Sequence, residues 1–483
     1  MSNKIQQYLA DNNYNTAPDI TYQHIDEWLE WYQGDVEKFH RYKIYNGVVT
    51  TEHQRYSMGM AKKICEDWAN LILNEKISIK AGTYEKRLEE ILEANNFQVR
   101  ANQLLEIAFA LGTGAFVEYK SAEGGVIIDY IRADMIYPQS WDNGDITECS
   151  FGTTRVIDGK ECIYLQIHRR GKAEEGENPE EYYIENKFID AESLKEMDPP
   201  EEIEALVSTG YNRALFQVIM PNICNNIDLD SPLGISVYAN SISQLKGCDL
   251  VYDSYINEFV LGRKRILVPI SAAKIEMQKD GSVAPTFDPH DTVYYQMPGD
   301  RQDSMQLTEV DMKIRAQEHE LGIQRSLDLL SLKVGMGTGR YQFNSSGAKT
   351  ATEVISDKSD LYQNLKKNEI PIKAAITAMV KAVAFLDTGH EVEVTVDFDD
   401  SIIEDTNTTI DRNIKLVSAG LRSKLSAIKE IDKCQENDAQ KELKLIAQDG
   451  QISGQDIDWT QEEDGQDGDV DEPSEKSTGS RTD

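Results

Sequence analysis

The sequence predicts an α+β chain: an α/β body, a two-helix stalk carrying a small strand-rich lobe, a long kinked helix and a helical end. Three observations carry this. Apolar residues recur at helical spacing over the first 110 residues, and strand-like runs fill 115–220. Two helical stretches then flank an insertion at 264–312.

From Ile20 to Asn74 the pattern reads as helical, with Trp28, Trp31 and Tyr32 at i, i+3, i+4. Met58, Ala61, Ile64 and Cys65 repeat that spacing. These aromatic side chains read as core rather than as a ligand cage. A second helical block covers Tyr84–Leu111 and stops at Gly112, a residue suited to the left-handed position after a helix. Ala115–Tyr119, Val126–Ile131, Ile163–Ile167 and Tyr182–Ile184 are short strands bounded by Gly, Asp and Asn turns.

Ser231-Pro232 is expected to open a helix, since serine caps and proline is tolerated in the first turn. Ile235, Tyr238, Ile242, Leu245, Cys248, Tyr252, Ile256 and Phe259 stripe one side of it. Arg263, Lys264 and Arg265 close it at the negative end of the dipole. In the insertion, RILVPI and TVYYQM are extended and KDGS is a turn. A returning helix spans Lys313–Val334.

Gly335 to Val354 reads GMGTGRYQFNSSGAKTATEV, a glycine-rich loop between two helices. Thr350 and Glu353 match a capping box for the second of these. Pro371 lies inside that helix, where it removes a backbone donor and is expected to kink or divide it. Glu391–Phe398 alternates as a strand, with Val392, Val394, Val396 and Phe398 on one face. Helices over Thr408–Ala419 and Ser423–Ala447 flank Gly420, and an acidic, disordered tail is expected from about Gly450.

Composition excludes several classes. The net charge is −34, of which the last 29 residues supply −9. That sign opposes conventional DNA binding, where Lys and Arg neutralise phosphates. A 40% apolar fraction suits an elongated or assembled protein. No run approaches the roughly 18 apolar residues of a membrane span. The N-terminus lacks the basic-then-apolar order of a signal peptide, so synthesis in the cytoplasm is expected. The six cysteines, Cys65, Cys149, Cys162, Cys224, Cys248 and Cys434, form no CxxC pair and read as reduced thiols rather than zinc ligands.

The motifs with chemical content are few. Gly335, Gly337 and Gly339 give G-x-G-x-G, but a dinucleotide fingerprint needs a strand before it and a third glycine where Arg340 stands. No GK[ST] is present for a P-loop. The glycines more simply end a helix and free the backbone to turn. Asp397, Asp399, Asp400 and Asp405 form an acidic cluster. A metal-dependent nuclease or phosphotransferase would use Asp397 and Asp399; a solvated strand end is the plainer reading. No HxxxH, HExxH or GxSxG occurs, and His168-Arg169-Arg170 reads as a basic surface spot. No cofactor or metal is expected.

Several runs, in order, resemble the portal proteins of tailed bacteriophages, in the form found in phages of Gram-positive hosts. They are NLILNEKI at 70–77, ALGTGAFVEYK at 110–120, DSPLGISVYANSISQLKGCDLVYDS at 230–254 and YQFNSSGAKTATEVISDKSDLYQNLKKNE at 341–369, with VSAGLRSKLSAIKEI near the end. The resemblance implies a dodecameric ring at one capsid vertex, a virion location after assembly in the host cytoplasm, and no enzymatic activity. It implies a wing over 1–235 and 351–400, stem helices over 236–263 and 313–334, and a small α/β clip over 264–312. A tunnel loop would span 335–350, a crown 401–450, and the acidic tail 451–483. Implied partners are double-stranded DNA passing without sequence recognition, terminase, the head–tail adaptor, and the major capsid and scaffolding proteins. On this reading Gly337, Gly339, Arg340, Tyr341, Asn344, Ser345, Ser346 and Lys349 line the channel, and Arg263, Lys264 and Arg265 lie at the stem–clip junction. Acidic walls would repel the duplex and keep it centred, with Arg340 and Lys349 touching phosphates in passing.

Overall fold

The computed structural model describes residues 2–45, 47–73, 77–121, 124–157, 159–262, 265–269, 275–277, 283–285, 294–297, 308–310, 313–343, 351–398, 406–432 and 436–452. The chain divides into two units, Met1–Asp400 and Ser401–Asp483. Helix and sheet are mixed, so the α+β class holds.

Unit 1 opens with α1 (Ser2–Asp11) and α2 (Asp19–Gln33). Gly34 ends α2 in the left-handed region, at φ 77°, because a helix C-terminus needs a residue that turns back without a Cβ clash. Trp28 and Trp31 are buried as expected, and the Tyr238 hydroxyl donates to Trp28 O at 2.7 Å. The helical reading of Ile20–Asn74 fails in its middle. After the short α3 (Glu37–His40), the chain forms an antiparallel ribbon, β1 (Arg41–Tyr45) with β2 (Thr50–Gln54), before α4 (Met60–Ile72). The overlooked signal is the glycine at 47 within the four-residue connection 46–49 between two strand-like runs.

After β3 (Ser78–Lys80), the helical block divides into α5 (Glu85–Ala94) and α6 (Phe97–Leu111). Asn95 explains the break: its Oδ1 accepts from Ile128 N–H at 2.9 Å and its Nδ2 donates to Val126 O at 2.9 Å. Gly112 then closes α6 at φ 86°. Strands β4 (Gly114–Lys120) and β5 (Val126–Arg132) follow. Next come β6 (Ile136–Asp142), β7 (Asp145–Ile157), β8 (Lys160–Arg170), β9 (Tyr182–Asp190), β10 (Glu196–Met197) and β11 (Leu206–Ser208), in one antiparallel sheet ordered β10-β9-β8-β7-β6 with β11 on β9. Strand β12 (Phe216–Ile219) returns to pair with β4.

The helix expected from Ser231 begins only at Ile242, as α7 (Ile242–Leu261). Tertiary hydrogen bonds override the capping signal. Val237 N–H donates to Phe109 O at 2.9 Å, and Gly234 N–H to Thr113 Oγ1 at 3.0 Å, so this segment satisfies the end of α6. The backbones meet so closely that a Cβ on Gly112 would stand 2.5 Å from Gly234 O.

In the insertion, β13 (Arg265–Pro269) pairs in parallel with β16 (Tyr294–Met297) and antiparallel with β17 (Thr308–Val310). The hairpin of β14 (Ile275–Met277) and β15 (Val283–Pro285) accompanies them. Helix α8 (Ala316–Lys333) returns alongside α7, and α9 (Ala351–Thr388) runs 38 residues, roughly 57 Å. Pro371 does not divide α9. The ladder proton it lacks would have bonded Lys367 O, and Asn222 Nδ2 donates there instead at 2.7 Å. Strand β18 (Thr395–Asp397) pairs with β3 and is shorter than the expected 391–398. The expected face persists: Val396 is buried, Val392, Val394 and Phe398 half-buried, and Asp397 exposed.

Unit 2 contains α10 (Thr406–Ser418), α11 (Lys424–Ile431) and α12 (Glu436–Ile452), so the helix expected over 423–447 is two. Gly420 turns at φ 72°, and Ser423 caps α11 by accepting from Ser426 N–H at 3.1 Å. Among the described residues no helix is long and apolar enough to cross a membrane. Cys65, Cys149, Cys162 and Cys248 are buried free thiols, Cys224 is exposed, and Cys434 lies outside the described residues.

Candidate functional site

The glycine loop follows α8, not a strand, as the flanking pattern requires. Gly335 N–H donates to Leu332 O at 3.3 Å and Met336 N–H to Ser331 O at 3.0 Å, the paired bonds of a Schellman cap. Gly335 sits at φ 80°, and a Cβ there would lie 3.2 Å from Asn364 Nδ2. Gly337 and Gly339 both adopt φ 76°, where side chains are strained.

Side chains from three helices hold this turn. Trp68 Nε1 of α4 donates to Val334 O at 3.3 Å, and Asn364 Nδ2 of α9 to Gly335 O at 3.1 Å. Ser331 Oγ of α8 donates to Gly337 O. Farther along, Gln324 Nε2 donates to Tyr341 O at 2.9 Å, and its Oε1 accepts from Phe343 N–H at 3.3 Å. The stretch 335–343 is therefore tied back onto α8, and its glycines serve tight turns. Asn344, Ser345, Ser346 and Lys349 lie outside the described residues.

Arg340 and Tyr341 meet one carboxylate. Arg340 Nη2 is 3.7 Å from Asp67 Oδ1, with the arginine side chain 37% exposed and the aspartate 9%. Lys63 Nζ, one turn earlier on α4, reaches the same oxygen at 2.8 Å. The Tyr341 hydroxyl is buried close to Asp67. Burial first, and the Asp67 charge second, push its pKa far above the ordinary phenol value. Sequence reasoning found Arg340 and Tyr341 but missed Asp67, Trp68 and Asn364. A weak signal existed, since Asp67 and Asn364 are polar residues three positions after buried Ile64 and Leu361.

The other singled-out residues stand elsewhere. Arg263, Lys264 and Asp399 fall outside the described residues, while Arg265 opens β13. Asp397 is exposed at the end of β18, 3.9 Å from Lys373 Nζ. Among the described residues no group of three or more His, Cys, Asp or Glu is placed to hold a metal. Of the basic spot at 168–170 only Arg170 is exposed as expected, and the other two residues are buried. His168 is 1% and Arg169 5% exposed. Arg169 donates to Glu177 and Glu185, 8 and 16 residues on, and these partners are what allow its burial.

Two neighbouring helices, α7 and α8, thus bracket a set of short strands, and a glycine turn and a long helix follow. A family model described as "Phage portal protein, SPP1 Gp6-like" matches residues 11–455. The chain belongs to this phage portal family. Its role is that of a portal, or connector, in a phage-type particle. Among solved structures this portal protein is similar to a chain from the virion of a native gene transfer agent particle. The identity is 10%, the TM-score 0.40, and the match covers 89% of this chain and 99% of that one. A chain from the neck of an empty particle of that kind, computed with C6 symmetry, matches at 11% identity and TM-score 0.38, over 77% and 89%. No curated protein matches the chain.

Proposed function

We propose that this portal protein assembles as a dodecameric ring at one capsid vertex and that genomic double-stranded DNA is packaged and ejected through its channel. In this reading 1–235 and 351–400 form the wing, 236–263 and 313–334 the stem, and 264–312 the clip, which docks terminase and later the head–tail adaptor. Residues 335–350 form the tunnel loop and 401–450 the crown. The major capsid and scaffolding proteins are further partners of the ring, which resides at the portal vertex of the virion.

One observation carries the reading: the stalk, lobe, glycine turn and long helix follow in that order inside a portal-family match of residues 11–455. The charge agrees. A conduit must not grip its cargo, and a chain at −34 repels a duplex at distances up to the screening length of about 8–10 Å. Arg340, more than a third exposed beside Asp67, is a cation able to reach a phosphate and be drawn back. Arg340, Tyr341, Gly337, Gly339 and the loop residues to Lys349 are proposed as channel lining.

Mass photometry and negative-stain imaging test this directly. The expected particle is an open ring near twelve times the 54.6 kDa subunit mass. A protein that stays monomeric across salt and concentration would overturn the proposal.

A further inference from the structure

The backbone around Arg340 is pinned on both sides. Before it, Trp68, Asn364 and Ser331 hold Val334 O, Gly335 O and Gly337 O. After it, the Gln324 side-chain amide holds both Tyr341 O and Phe343 N–H, and the Tyr341 hydroxyl is buried. Gly337 and Gly339 make their left-handed turns between these points, and a Cβ on Gly339 would stand 2.6 Å from Gln342 Nε2. A segment tied at so many places keeps little backbone freedom. The part of Arg340 left to move is its exposed side chain, which changes rotamer far faster than a loop rearranges.

The ion pair that Arg340 makes is one it can give up. Its Nη2 stands 3.7 Å from Asp67 Oδ1, longer than the roughly 2.7–2.9 Å of a charge-assisted hydrogen bond. Lys63 Nζ, one turn earlier on α4, is 2.8 Å from that same oxygen. Asp67 is nearly buried, and a buried carboxylate stripped of its partner is costly. Lys63 removes that cost, because it keeps the aspartate paired when the arginine departs. The pair with exposed Arg340 therefore contributes little, as exposed pairs do. A phosphate offers the guanidinium more, namely two parallel hydrogen bonds. Lys63 and Arg340 thus compete for one carboxylate oxygen, and Asp67 and a phosphate compete for one guanidinium.

We infer that Asp67 is a positioning residue that competes with passing phosphates for Arg340, with Lys63 standing in when the arginine swings out. The inference rests on the channel-lining reading of Arg340. It makes each contact with the duplex a side-chain exchange on a fixed turn, without movement of the backbone at 335–343.

The test uses the full chain, with ring formation of each variant checked by mass photometry. Binding of a short labelled DNA duplex is followed by fluorescence anisotropy across a sodium chloride series. Asp67→Asn keeps the shape of the side chain and removes its charge. Its rings should bind the duplex about two- to five-fold tighter at low salt, with a steeper salt dependence, because freed arginines add phosphate contacts. Lys63→Gln leaves Asp67 in place and should act the other way, weakening binding by tying Arg340 to the aspartate. Both effects should disappear in the Arg340→Gln background. Effects of the same size in that background would mean that only the general charge of the ring had changed; this would overturn the competition and leave the ring reading intact. Rings that bind no duplex in any variant would overturn the channel-lining role of Arg340 as well. A native chain that forms no ring would overturn the competition together with the ring reading.

Discussion

His168 stands on β8 with rings of Phe151 and Phe216 against it at 5.3 and 5.6 Å, and burial alone lowers its pKa from 6.5 to about 3. The folded protein therefore holds it neutral, while the unfolded chain takes up a proton below pH 6.5. The sign follows: His168 costs nothing above that pH and destabilises progressively as pH falls from 6.5 towards 3. Glu177 acts lower on the scale, since its hydrogen bonds to Arg169 hold its pKa near 2 against an ordinary 4.5. Its contribution is complete above pH 4.5 and is lost as pH falls through 2. His168→Phe removes the first of these and fills the same aromatic contact. Urea midpoints at pH 7 and pH 5 should then show a smaller loss on acidification than the native chain. An equal loss would mean that other groups govern this range.

At the scale of elements, α9 is continuous because a side chain from another segment completes it. Asn222 Nδ2 satisfies Lys367 O beneath Pro371, and Asn222 N–H donates to Asn368 Oδ1 at 2.8 Å. Asn222→Ala should cost about 0.5–1.5 kcal/mol, since the bond is exposed and water can reach that carbonyl once it is lost. Pro371→Ala restores the ladder donor to Lys367 O, so the double variant should regain much of the loss. Chemical denaturation of the four members of the cycle measures the coupling, and strict additivity would refute it. The same distinction separates what was legible from what was not. Helix ends set by local chemistry, Gly112, Gly335 and Ser423, are readable from sequence, as is the inward face of β18. The breaks at Asn95 and at 231–241 were not, because Ile128, Phe109 and Thr113 decide them from afar. The glycine turn was legible, whereas its seat on Asp67, Trp68 and Asn364 comes from helices remote in sequence. The hairpin at 41–54 had a turn signal in Gly47 but was hidden by the helical spacing on either side.

For the whole molecule, association must overcome like charge. Each copy carries −34, and neighbouring copies in the proposed ring would repel across any gap shorter than the screening length, about 30 Å at 0.01 M salt and 8 Å at 0.15 M. Ring formation is thus expected to strengthen with ionic strength, the opposite of an interface built on free salt bridges. Residues 455–483 supply −9 of this charge and lie outside the described residues. Deleting them should leave the ring intact and lower the salt concentration at half-assembly, as followed by mass photometry across a sodium chloride series. An unchanged midpoint would show that the tail charge lies beyond a screening length from its neighbours. Loss of the ring would show that the tail holds subunits together, and the charge argument would then have its sign reversed.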